Sequence, residues 1–154
     1  MEQTRPKGLY FEEFTVGQEV ESATRTITET DVVLFAGLTG DYNLIHTDAE
    51  FAKSTPVGQR VAHGLLGLSI ASGLATRIGF MEGTILAFLG LTWKFKGTIL
   101  FGDTIRMRGK VTKTRATPSM GGGMVVLEIS VLNQQGKVVQ EGEWSLLVLG
   151  RPQA

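Results

Sequence analysis

The sequence of 154 residues contains no cysteine. Disulfide bonds, thiolate nucleophiles and thiolate metal ligands are therefore excluded within it. The absence of cysteine suits a cytoplasmic protein, which is the location we expect. Lysine plus arginine and aspartate plus glutamate number 15 each, so the formal net charge is zero. This balance provides no field to attract nucleic acid or an anionic membrane, and we expect neither as a partner.

Hydrophobic runs of membrane-spanning length are also missing. The most apolar stretch, GLLGLSIASGLATRIGF, contains Arg77 and is shorter than the roughly 20 residues that span a bilayer. The first residues, MEQTRPKGLYFEEF, lack the apolar core of a signal peptide. Hydrophobic residues make up 42% of the chain, and no repeat or linker divides it. We expect residues 1–154 to form one domain.

The hydrophobic pattern changes type along the chain. Residues 18–27 predict a first strand or extended arm, and Thr28 with Asp31 resembles a capping box that begins a helix. Residues 64–78 predict a buried helix that is apolar on every side. After residue 84, four segments predict antiparallel strands. This order predicts an α+β fold of the hotdog type, with a curved antiparallel sheet wrapped around a long apolar helix.

The segment GDYNLIH places Asp41, Asn43 and His46 close together after the first predicted helix. A carboxylate beside an imidazole can hold and deprotonate a water molecule, and Asn43 could orient either partner. The same residues also fit a turn in which Asp41 and Asn43 cap the chain and His46 is structural. The residue types leave both interpretations open. Two histidines without cysteine are a poor zinc ligand set, and no metal site is predicted.

The segment AHG would place Gly64 at the start of the long helix, where backbone N–H groups are free donors. A glycine there lets a ligand oxygen approach, so the position could stabilise an oxyanion. Alternatively, Gly64 serves the turn; His63 is interpreted as structural. Ser69 nearly completes a nucleophile elbow but lies inside the helix. Ser69 and Ser72 are interpreted as small packing residues, although Ser72 could also face a site.

Two segments, TGDYNLIHTDAEFA and VAHGLLGLSIASGL, together resemble the motifs of the MaoC-like hotdog proteins, a family that includes the (R)-specific enoyl-CoA hydratases. The likeness extends over most of the chain, including FKGTILFGDTI and the C-terminal strands. It implies a homodimer, an acyl-CoA or acyl-carrier thioester as substrate, and no cofactor. It also implies a hydro-lyase that reversibly hydrates a trans-2-enoyl thioester to an (R)-3-hydroxyacyl thioester. An acyl-CoA thioesterase and a non-catalytic acyl-thioester-binding subunit are the alternatives.

The resemblance also implies roles for individual residues. Asp41 and His46 would bind and activate the water, and Asn43 would organise the same loop. The Gly64 amide would polarise the thioester carbonyl, while Ser72 matches a position where related hydratases carry a site serine. The family's usual proline after the asparagine is replaced here by leucine, which affects the rigidity of the loop and leaves the acid–base pair intact.

Overall fold

The computed structural model describes residues 7–152. Its α-helices and strands, in chain order, are β1 (Glu19–Glu21), β2 (Arg25–Thr26), α1 (Glu29–Thr39), α2 (Leu44–Thr47), α3 (Ala49–Lys53), α4 (Gly64–Ile78), β3 (Ile85–Phe95), β4 (Thr104–Thr117), β5 (Gly122–Leu132) and β6 (Val138–Leu149). Two short 3-10 helices lie at Phe11–Glu13 and Pro118–Met120. The extended arm predicted at 18–27 is therefore two short strands. Residues 1–6 lie outside the described residues. They include the start of MEQTRPKGLYFEEF, the stretch that lacks the apolar core of a signal peptide. No helix within residues 7–152 is long and apolar enough to cross a membrane.

Within residues 7–152, six strands form the antiparallel sheet. Its order is β1-β4-β5-β6-β3, and β2 pairs with β4 off this path. Register shifts in the three long strand pairs mark bulges, and bulges bend and twist strands. Helix α4 contributes Leu66, Ile70 and Leu74 to the same buried cluster as Leu127 and Trp144 of the sheet. The predicted α+β hotdog arrangement is confirmed.

Helix α4 has the predicted bounds but is not enclosed on every side within one chain. Leu66, Ile70 and Leu74 recur every four residues and are buried, as expected for one helical face. Leu65 and Ser69 lie on another face and are exposed. The reason is geometric, because the sheet of one chain covers only the side of the helix that packs against it.

Local capping sets where the helices before α4 begin and end. Thr28 accepts a hydrogen bond from the Asp31 N–H, and Asp31 accepts one from the Thr28 N–H at 2.9 Å, which confirms the predicted capping box. Helix α1 then stops at Gly40, whose φ of 78° is left-handed. Asp48 caps α3 through the Phe51 N–H. The chain therefore turns sharply on either side of the segment 41–47.

A close contact makes one glycine of α4 testable. A Cβ on Gly67 would lie 2.4 Å from Nε2 of Gln140 and 2.7 Å from Cδ1 of Ile99, whereas a Cβ on Gly37 of α1 would lie 3.7 Å from its nearest neighbour, the Tyr42 hydroxyl. We expect Gly67→Ala to lower the free energy of unfolding by roughly 1–3 kcal/mol through overpacking. Gly37→Ala should raise the free energy of unfolding by about 0.5–1 kcal/mol, because alanine reduces the backbone entropy of the unfolded chain. Denaturation followed by circular dichroism at one protein concentration measures both, and equal stabilities would contradict the packing assignment.

Candidate active site

The loop between α1 and α2 holds the first two predicted residues. Oδ1 of Asp41 accepts a hydrogen bond from the Asn43 N–H at 3.2 Å. The Asn43 side chain accepts one from the Ile45 N–H at 3.4 Å and so caps α2. The turn and capping roles considered for these residues are therefore present. They leave further lone pairs on the Asp41 carboxylate, which is exposed.

Leu44 occupies the first helical position after this cap. Proline is favoured at that position because its fixed φ suits the first turn and its missing N–H is not needed. The helix forms here with leucine, and the side chain is 48% exposed. Leucine therefore permits the turn from the Asn43 cap into α2, without the rigidity that a proline would add.

His46 is buried, and its Nδ1 lies 2.7 Å from the carbonyl oxygen of Val61. Since a carbonyl only accepts, Nδ1 carries the proton and Nε2 carries the lone pair. Burial lowers the pKa of His46, and the nearby His63 lowers it further, while the bond to Val61 and the negative charge of Asp41 raise it. The balance lies below the ordinary value, so the ring is a neutral base with its Nε2 available.

His63 lies against His46, a proximity that the sequence did not predict. The two ring centroids are 3.8 Å apart with an interplanar angle of 28°. Nε2 of His63 lies 2.9 Å from the carbonyl oxygen of Asp41 and therefore donates to it. The sequence carries only a weak signal for this contact, because the two histidines are separated by α3 along the chain and spacing alone does not reveal a stacked pair.

Asp41, His46 and His63 each offer a ligand atom, and these atoms lie within 4.8 Å of one another. The number and type of ligands would suit zinc. The stacking of His46 on His63 argues against such a site. Each imidazole lone pair lies in the plane of its ring, and the two ring planes are inclined by only 28° with their centroids 3.8 Å apart. One ion about 2 Å from each nitrogen cannot lie in both planes. We therefore interpret the cluster as an acid–base site.

A cleft of about 380 Å³ brings His46 and the start of α4 together. Its lining comprises Ile45, His46, Val61, Ala62, Gly64, Leu65, Phe95, Gly97, Thr98, Ile99 and Gln140. Gly64 is the first residue of α4, so its N–H lies outside the helical hydrogen-bond ladder at the positive end of the dipole. A Cβ on Gly64 would lie 2.7 Å from the Phe95 ring. A side chain at position 64 would displace the Phe95 ring, so glycine is needed for the close approach of the ring to the backbone of α4.

Gln140 of β6 anchors the start of α4. The sequence did not predict this role. Its side chain is only 1% exposed. Nε2 donates to the Gly64 carbonyl oxygen at 2.9 Å, and Oε1 accepts from the Trp93 indole N–H at 3.1 Å. The sequence did offer one signal. Gln140 alternates with Gly142 and Trp144 along β6, so its uncharged amide lies on the same face of the strand as the tryptophan. Through Gln140, both β3 and β6 fix where the helix begins.

Ser72 does not reach this cleft. It lies two turns further along α4, and its Oγ donates to the Ser69 carbonyl oxygen at 2.7 Å. Ser69 in turn donates to the Leu65 carbonyl at 2.8 Å. Both hydroxyls are thus bonded back to the helix, as small polar residues inside helices commonly are. Ser72 lines a second cavity of about 300 Å³ whose walls include Met81, Ile85, Phe88, Trp144 and Leu146.

Comparisons with known proteins show which proteins this chain resembles. A family model described as "MaoC like domain" matches residues 12–130. An (R)-specific enoyl-CoA hydratase of Rhodospirillum rubrum is 35% identical over 92% of this chain and 93% of its own length. A 3-hydroxybutyryl-CoA dehydratase of Methylorubrum extorquens is 37% identical over 68% of this chain and 65% of its own. The structure of an R-hydratase from Pseudomonas aeruginosa matches with a TM-score of 0.79 and 32% identity, covering 94% of this chain and 88% of that one.

The charge environment of His46 gives a direct test. We expect its pKa, followed by NMR through the Cε1 proton, to lie below the ordinary value of about 6.5 because the ring is buried. Asp41→Asn removes a negative charge that favours the imidazolium and should lower the pKa of His46 further. Asp48→Asn is the matched control, because the asparagine can still cap α3 and Asp48 does not act on His46. A rise in Asp41→Asn would contradict the assignment.

Proposed function

Because the chain belongs to the MaoC-like dehydratase family, we propose that it reversibly hydrates a trans-2-enoyl-CoA, or a related enoyl thioester, to the (R)-3-hydroxyacyl thioester. The observation that carries the proposal is the shared cleft, in which an unprotonated His46 nitrogen and the Gly64 N–H can act on one substrate. The enzyme is a hydro-lyase. The cytoplasmic location expected from the absence of cysteine stays a prediction.

Asp41 and His46 bind the attacking water in this proposal. Nε2 of His46 removes one proton as the water oxygen bonds to the β-carbon, and Asp41 accepts a hydrogen bond from the other O–H. The electron pair of the double bond moves toward the thioester oxygen. The imidazolium of His46 then gives that proton to the α-carbon and the thioester carbonyl re-forms, so the net change is one water added and the base is regenerated. Asn43 keeps the carboxylate in place through its N–H bond to Asp41.

Gly64 stabilises the charge that develops on the thioester oxygen. Its N–H and the positive end of the α4 dipole favour the enolate over the neutral carbonyl, which is the difference that accelerates a reaction. Gln140 supports this role because its bond to the Gly64 carbonyl fixes the first residue of the helix. Base and oxyanion donor then act from two separate segments on one thioester.

Ser72 contributes to substrate binding away from the reacting atoms. Eight residues of helix separate it from Gly64, a distance of about 12 Å along the axis. The cavity that it lines is mostly apolar, with Phe88, Trp144 and Leu146 among its walls. We assign this cavity to the acyl chain of the substrate, whose burial would supply binding energy without a role in proton transfer.

Substitution of the acid–base pair tests the function. We expect Asp41→Asn and His46→Ala each to lower turnover of enoyl-CoA by about two orders of magnitude or more, because the first removes the negative charge that stabilises the imidazolium and the second removes the base. Loss of enoyl absorbance measures hydration, and chiral analysis of the product identifies the (R) alcohol. Asp48→Asn should retain wild-type turnover, since it changes a nearby carboxylate without entering the site.

The same assay separates the alternatives. Near-wild-type hydration by folded Asp41→Asn or His46→Ala protein would refute the assigned roles. Release of free thiol while the enoyl group remains would identify a thioesterase. Tight binding of acyl-CoA by a wild-type protein that neither hydrates nor hydrolyses enoyl thioesters would identify a binding subunit.

We further propose that two copies form a homodimer through the open edge of the sheet. In residues 7–152, β3 pairs only with β6, although it is 11 residues long. Its exposed apolar side chains are Leu86, Phe88, Leu89, Leu91 and Phe95, each between 46% and 54% exposed. A long apolar edge strand is an aggregation hazard unless it is covered. Antiparallel pairing with its own copy would cover it under two-fold symmetry.

Charge placed on this edge should prevent dimer formation. We expect Leu89→Lys/Leu91→Lys to convert a species of twice 16.7 kDa into a monomer, measured by light scattering after gel filtration. Ala116→Lys, at an exposed position of β4, adds charge elsewhere on the sheet and should leave the dimer intact. A double variant that remains dimeric would place the interface on another surface.

A further inference from the structure

His63 is a buried polar side chain that the proposed reaction leaves without a step. It is only 2% exposed. It occupies the N-cap position of α4, where Ser, Thr, Asp and Asn are favoured because their side chains cap the helix. The imidazole makes no such capping bond. The start of the helix therefore does not explain why a histidine is buried here.

The ring of His63 makes three contacts that converge on the site. Its Nε2–H donates to the Asp41 carbonyl oxygen at 2.9 Å. Its face lies on His46 with the centroids 3.8 Å apart. Phe35 of α1 packs against the same ring with a centroid distance of 5.0 Å and an interplanar angle of 56°. One side chain thus touches the backbone that carries the carboxylate and the ring that carries the base, while its own backbone leads into Gly64.

The other nitrogen of His63 is informative because it has no partner. Nδ1 is buried without a hydrogen bond in the described residues. The Asp41 carbonyl requires the proton on Nε2, so the neutral tautomer leaves Nδ1 as a bare lone pair. A buried polar atom without a partner is a cost to the fold. An apolar side chain of similar shape would avoid that cost but would lose the bond to Asp41.

Resting on the function proposed above, we propose that His63 is a positioning residue for hydration. Its Nε2–H fixes the loop that carries Asp41, and its ring face supports His46, so that the water-binding pair is held in place beside the helix start. His63 neither receives nor donates the reacting protons. Displacement of a reacting group by about 1 Å can cost two orders of magnitude in rate, which gives such a residue a large effect on turnover.

Two substitutions separate the hydrogen bond from the ring contact. His63→Phe keeps a flat ring against His46 but removes the donor, and His63→Gln keeps an N–H near the position of Nε2 but removes the ring. We expect His63→Phe to lower kcat for enoyl-CoA hydration about tenfold to a hundredfold with KM changed less than about threefold. His63→Gln should restore kcat to within about fivefold of wild type, because the bond to Asp41 is the larger contribution.

Stability must be separated from positioning. Val111→Ala removes buried volume from β4 without lining the cleft, so it reports what destabilisation alone does to kcat. Wild-type kcat in His63→Phe would overturn the proposal. Equal losses in His63→Phe and His63→Gln that match a Val111→Ala protein of the same melting temperature would also overturn it, since a purely structural role predicts that result.

A measurement on the wild-type protein does not depend on whether the variants fold. Long-range ¹H–¹⁵N NMR distinguishes the two histidine tautomers, and only His46 and His63 contribute signals. We expect a proton on Nδ1 of His46 and on Nε2 of His63. A proton on Nδ1 of neutral His63 would overturn the inferred bond to Asp41. Absence of any hydratase activity in the wild-type protein would instead refute the proposed function and leave the tautomer result standing.

Discussion

The hydrogen bond from His46 Nδ1 to the Val61 carbonyl is the constraint on which the site depends. It fixes the tautomer and leaves Nε2 as the base. Val61 is itself held by its N–H bond to the Ile45 carbonyl and by a bridge to Leu100. Three residues later the same segment reaches Gly64. The base on α2 and the proposed oxyanion donor at the start of α4 are thus both tied to one short extended segment, and the side chains of Gln140 and His63 add to that anchoring.

The electrostatics of the site combine opposing influences on one ring. Burial and the neighbouring His63 lower the pKa of His46, while Asp41 and the Val61 carbonyl favour the imidazolium. A base that is neutral in the resting protein must still accept a proton during the reaction. The carboxylate and the carbonyl supply the stabilisation that the imidazolium then needs. Burial and His63 thus act against the charged ring, and the Val61 carbonyl and Asp41 act in its favour.

Local sequence patterns predicted much of this arrangement. The capping box at Thr28 and the bounds of α4 depend on residues within a few positions of each other. The exposed face of α4 and the partners of Gln140 could not be predicted in this way. Gln140 lies 76 residues from the Gly64 carbonyl that it binds, and that contact exists only once β6 has packed against the helix. The hydrophobic pattern marks a position as buried but does not name the atom that it will meet.

The proposed dimer and the proposed chemistry address the same physical problem. In one chain Asp41 is exposed, and around it the apolar side chains of Tyr42, Leu44 and Leu65 are 48% to 61% exposed. Electrostatic stabilisation of an enolate is weak in contact with bulk water and much stronger where water is excluded. Phe95 belongs both to the apolar edge of β3 and to the lining of the cleft beside Gly64. A second copy paired along that edge would therefore border the cleft, exclude water from part of it and lower the dielectric in which the enolate would form.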